Sequence, residues 1–162
     1  MFVLPSFINI LGESQKDTVA NRGQLASKGA CDLEEQKVMK LQETLSELLK
    51  ELSNKSPILG AAVFSIEGLP FVSRFHGGTE EASIAAIVAA IHAAGDQTVK
   101  ELRQGELKSI IIQGDLGTTL VISISSDYLL TVTSPENAKL GLVFSDAKKA
   151  AREARKILYQ AL

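Results

Sequence analysis

Thr79-Glu-Glu-Ala-Ser-Ile-Ala-Ala-Ile-Val-Ala-Ala-Ile-His-Ala-Ala94 is the stretch around which the rest of the chain is best read. Seven of the eighteen Ala residues lie between Ala82 and Ala94, and only Ser83 and His92 are polar in that span. At the helical angle of 100° per residue, Ile84, Ile87, Val88, Ile91, Val99 and Leu102 gather into one stripe, which predicts a core-facing side. Opposite it fall Ala82, Ala86, Ala89 and Ala93, with Ala90 alongside. A helix lying on a sheet is normally polar on that outer side. Ala is a strong helix former even when solvated. The near absence of polar side chains nevertheless favours a second helix packing there, and in a symmetric dimer that helix is its own copy. Thr79 is placed to cap the helix, and Glu80 and Glu81 complement its N-terminal dipole. Gly95 is a weak point and Gly105 the expected terminator.

Before this helix, Ile58–Ile66 and Leu69–Phe75 flank Glu67-Gly68, the pattern of a hairpin with Gly68 at positive φ. Pro70 assigns the second run to a sheet edge. After it, strands are predicted over Leu107–Gln113, Thr118–Ser125 and Tyr128–Thr133, the first two joined by Gly114-Asp-Leu-Gly117. Val38, Leu41, Leu45, Leu48, Leu49 and Leu52 recur at helical spacing, with Asp32-Leu-Glu-Glu35 in the form of a capping box and Pro57 as the stop. A last helix, about 138–160, has Leu140, Val143, Phe144, Ala147, Ala151, Ala154, Ile157 and Leu158 on its buried side. The order α-β-β-α-β-β-β-α with hairpin connections predicts an α+β fold, its mostly antiparallel sheet covered by helices on both faces. Residues 1–31 lack sustained periodicity and read as a flexible N-terminal arm, leaving 32–162 as the domain.

Composition excludes several classes. The 162 residues are 45% hydrophobic and 22% charged, ordinary for one globular core, with 5% aromatic residues and no Trp. A net charge of -2 argues against nucleic-acid binding. One cysteine, Cys31, excludes an intramolecular disulfide framework and a Cys-based zinc site, and with only His76 and His92 there is little material for any metal. No run approaches the ~20 apolar residues of a membrane span. The apolar start, broken by Pro5 and lacking basic residues, is a poor secretory signal, so a cytoplasmic location is expected.

The chemistry of catalysis finds no support. Neither a P-loop nor a dinucleotide fingerprint occurs, and Glu80 and Glu81 oppose a phosphate at the helix start after His76-Gly77-Gly78. There is no G-x-S-x-G, no partnered nucleophile and no distinct carboxylate pair. His92 reads as an interface or surface residue and His76 as a solvated turn residue. Neither catalytic, cofactor-binding nor metal residues are assigned. Lys148, Lys149, Arg152, Arg155 and Lys156 lie mostly away from the last helix's apolar stripe and give residues 136–162 a local charge of +3 (six basic, three acidic). They form a candidate partner-docking patch, although cations late in a helix also stabilise it.

With these elements assembled, residues 33–160 resemble the Roadblock domain, the family of dynein light chains and MglB-type small-GTPase regulators. The resemblance rests on Gly60-Ala-Ala-Val-Phe-Ser65 leading into Glu67-Gly-Leu-Pro70, on the Ala-rich helix, on Gly114 closing the third strand, and on Asn137-Ala-Lys-Leu-Gly141-Leu-Val opening the last helix. Glu67 stands where the family usually has Asp, and residues 1–31 match nothing in it. The resemblance implies a Roadblock-like (profilin/longin-like) five-stranded antiparallel sheet, with the central helix on one face and the terminal helices on the other. It further implies a homodimer in which central helices pair and third strands join edge to edge, here along Glu106–Gln113. That interface takes in Ala82, Ala86, Ala89, Ala90 and Ala93, and Lys108, Ile110 and Ile112. The implied role is a non-enzymatic platform, without cofactor, that binds and regulates or scaffolds a Ras-like small GTPase. The competing readings are a structural adaptor subunit with no GTPase contact and a small-ligand sensor, which needs an apolar cavity.

Overall fold

The computed structural model describes residues 13–75, 78 and 80–161. Residues 1–12 of the expected arm, and His76, Gly77 and the cap at Thr79, lie outside the described residues. The first hairpin forms as its turn chemistry requires. Strand β1 (Gly60–Ser65) pairs antiparallel with β2 (Pro70–Phe75), and Gly68 takes φ 86° in the turn between them. There the Ser65 carbonyl accepts from the Gly68 amide, and the Ser65 hydroxyl accepts from the Leu69 amide at 3.1 Å. Strands β3 (Ser109–Gly114), β4 (Gly117–Ser123) and β5 (Tyr128–Pro135) complete a sheet of order β2-β1-β5-β4-β3, antiparallel throughout. Pro70 therefore does sit on an edge strand, the position in a sheet where a missing amide is tolerated.

Helices α1 (Glu13–Lys55), α2 (Glu81–Glu101) and α3 (Leu140–Ala161) complete the α-β-β-α-β-β-β-α order. Contacts divide the chain into Met1–Met39 and Lys40–Leu162. In the first unit, residues 13–39 belong to α1 and the side chains from Cys31 to Met39 are exposed, Val38 among them. Helix α1 is thus already formed at Glu13, the first described residue, well upstream of Asp32, and the supposed capping box lies inside it. No proline stands between Pro5 and Pro57, and isolated glycines such as Gly23 and Gly29 cost only about 1 kcal/mol each in a helix. The capping pattern had nothing to stop the helix upstream.

In the second unit, Leu45, Leu49 and Leu52 of α1 join Val143, Ala147, Ala154 and Leu158 of α3 against one sheet face, built by Ala61, Val63, Leu120, Leu130 and Val132. The buried Ser56 hydroxyl, just past α1, donates to Asp146 Oδ2 of α3 at 2.7 Å. That bond, with the Lys149 ammonium, holds the Asp146 carboxyl below the usual carboxylate range. Helix α2 covers the other face, burying Ala85 and Val88 over Ala62, Phe64, Val121 and Leu129.

The rotation of α2 differs from the stripe expected. Ile87 is 55% exposed and Leu102 62% exposed, whereas Ala85 is buried. Small residues on the sheet side explain this. A Cβ at Gly95 would stand 3.1 Å from the tips of Ile110 and Leu107, so the helix lies close over β3, and Ala85 makes the same approach at its other end. The bulky Ile87 is turned outward instead.

Thr131, fully buried in the α2-side layer, has the one buried side-chain oxygen without a hydrogen-bond partner among the described residues. Thr131→Val keeps the shape and removes the unpaired hydroxyl. It is expected to stabilise the fold by about 1 kcal/mol, a rise of about 3 °C in Tm by calorimetry.

Candidate interaction site

The outward side of α2 carries Ala82, Ala86, Ala90 and Ala93, all exposed or half-exposed, while Ala89 is half-buried at the boundary. Ile87 and Ala94, absent from the expected set, extend the same surface. Their spacing was readable: Ile87, Ala90 and Ala94 recur at three and four. By length and composition alone α2 is apolar enough to cross a membrane. This differs from the expectation that no run is apolar enough for a span, and the difference is the Ala-rich outer face, since the inner one is docked on the sheet.

Beside α2 runs β3, bonded to β4 on one side and free on the other. Its Ile111 and Ile112 are 46% and 37% exposed on opposite sheet faces. Ile110 turns into the α2-side core, and Lys108 lies just ahead of the strand. An apolar strand edge left open in this way is a template for pairing with another chain.

The five α3 cations sort into two groups. Lys149 is paired with Asp146 at 3.4 Å and Lys156 with Glu153 at 2.9 Å, both within the helix. Lys148, Arg152 and Arg155 have no carboxylate partner among the described residues, and all three line one groove of about 860 Å³. The sequence held the signal: no acidic residue stands three or four positions from any of these three.

His92 also lines this groove and is not on the outer face of α2. Its Nε2 lies 3.2 Å from the Ser123 hydroxyl, which in turn donates to the Leu107 carbonyl at 3.2 Å. Burial lowers the His92 pKa, against a smaller upward pull from Asp96. Burial thus favours the uncharged form of this imidazole, which links α2 to the end of β4. No group of three or more His, Cys, Asp or Glu suited to a metal occurs among the described residues.

A five-stranded antiparallel sheet with one helix on one face and two on the other defines an α+β domain of the profilin-like kind, here with an apolar helix side left uncovered by the described residues. The Roadblock/LC7 domain model matches residues 44–134, and the chain belongs to that family. A protein of Methanocaldococcus jannaschii, MJ1340, is 27% identical over 111 residues, covering 68% of this chain and 96% of the relative. The solved structure of MglB in a tetrameric arrangement has a TM-score of 0.71 at 23% identity, covering 75% of this chain and 93% of that one. The gliding protein MglB from Thermus thermophilus has a TM-score of 0.70 at 21% identity, covering 74% and 92%. These two likenesses establish the fold, in agreement with the expected α+β architecture.

Proposed function

We propose that this chain is a homodimeric, non-enzymatic platform that binds a Ras-like small GTPase in the cytoplasm and regulates or scaffolds it. The observation that carries the reading is the apolar outer side of α2 lying next to the open edge of β3. Helix pairing and strand pairing would cover both at once and produce one continuous sheet with a broad two-fold surface. Membership of the Roadblock/LC7 family and the likeness to MglB support a GTPase as the further partner. Such a platform acts by ordering or releasing the switch loops, which the γ-phosphate also controls. Arg74 and Arg103 are exposed and neither is assigned as a catalytic finger.

The test is retention of small GTPases from the same cell on the immobilised full-length chain, each loaded with GDP or with a non-hydrolysable GTP analogue. At least one is expected to bind with a tenfold or greater preference between the two states. Retention indifferent to nucleotide would point to an adaptor, and none at all would refute the GTPase reading.

A further inference from the structure

The basic residues of α3 are divided by what surrounds them. Two are neutralised by acids of their own helix. The other three face a groove bounded by α2, the segment leading into β3, the end of β4 and α3, with Leu107, Ile122 and Ala151 among its apolar contacts. Two of the three are held in place. The Arg155 Nε–H donates to the Ile124 carbonyl, and the Lys148 ammonium sits 4.2 Å from the centre of the Phe144 ring. Lys108 adds a fourth cation from the opposite wall. Of the two acids there, Asp96 is paired with Lys100 at 2.6 Å, which leaves Glu106 to set a polarity across the groove.

We propose that this groove binds an extended acidic segment of a partner protein, its carboxylates along α3 and an intervening apolar side chain against Ile122 and Leu107. Spacing selects this ligand. Lys148, Arg152 and Arg155 are stacked over about 10 Å of helix at 1.5 Å per residue. Donors strung out in this way do not converge on one phosphate. They do match an extended chain, in which alternate side chains recur about every 6.6 Å, close to the ~6 Å rise from Lys148 to Arg152. Anchoring of Arg155 and Lys148 in the free protein reduces the ordering cost of binding. The α3 donors belong to a single chain, while Ala89, Ala93 and Lys108 on the facing walls also belong to the expected dimer interface, so the proposal rests on a dimer that leaves the α3 wall open; it needs no GTPase.

The experiment is fluorescence anisotropy of the full chain with a fluorescein-labelled hexapeptide of alternating Glu and Leu, beside its Gln–Leu counterpart. The Glu peptide is expected to bind at least tenfold more tightly than the Gln peptide. Arg152→Glu should weaken it at least tenfold, whereas Lys149→Glu, the same charge change outside the groove, should change it less than twofold. Matching thermal melts check that both variants fold. If Arg152→Glu fails to fold, Arg152→Gln replaces it, with at least a fivefold loss expected. Equal losses at positions 149 and 152 would show diffuse charge attraction and overturn the proposal. So would equal binding of both peptides, or tighter binding to phosphatidylserine vesicles than to the Glu peptide with the same dependence on Arg152.

Discussion

Ala90→Glu is expected to convert a dimer into a monomer, read as a twofold fall in mass by light scattering on a sizing column at about 50 μM protein. Ala90 is exposed in the single chain and points away from the sheet, so the variant should keep its circular dichroism and fold. In a two-fold pair of α2 helices the new carboxylate would be desolvated and would face its own symmetry copy, with no cation on the surrounding Ala and Ile surface. An unpaired buried charge costs several kcal/mol, enough to weaken association by more than a hundredfold. Ala89 is a poorer probe because it is half-buried and borders the α3 groove. A variant that remains dimeric would rule out helix pairing.

The second large effect is expected in the sheet. A Cβ at Gly117 would lie 2.6 Å from the carbonyl oxygen of Ser134, a backbone atom of β5. No side-chain rotation relieves that contact, so Gly117→Ala must displace one strand from the other. Overpacking of this kind costs about 1–3 kcal/mol, and the rigid backbone neighbour puts this substitution at the upper end. Urea denaturation should show the midpoint falling with the slope unchanged. Gly114→Ala is the matched control, because its nearest contact is an ordinary 3.6 Å. Equal stability of the two variants would defeat the explanation.

The same glycine shows what could be read from the sequence and what could not. Its spacing marks Gly117 as part of the connection between two strands, but the structure makes it the first residue of β4, where β5 approaches its missing side chain, a contact no local pattern encodes. Gly68 and Pro70 were legible because each acts through its own backbone dihedral or missing amide. The α3 stripe was legible because large and small apolar residues there point the same way. On α2 they do not, and a rule that turns the largest residues inward put Ile87 in the core when Ala85 and Gly95 let the helix settle closer to the sheet. The start of α1 was missed because a capping pattern also occurs inside helices. The outer Ala row was legible as a lack of polar residues. The division of the α3 cations was latent in the positions of Asp146 and Glu153, but the groove that gives it meaning is assembled from segments far apart in sequence.

That division also shapes the field around the molecule. Paired charges such as Lys149–Asp146 and Lys156–Glu153 largely cancel a few ångströms from the surface, whereas Lys148, Arg152 and Arg155 do not. Residues 136–162 carry +3 while the other 135 carry -5. Uncancelled positive charge is therefore concentrated on one flank of α3. An anionic partner approaching within about a Debye length, roughly 8 Å at physiological salt, experiences a torque before any contact forms. Encounters are biased toward one orientation, and the association rate falls as salt is added.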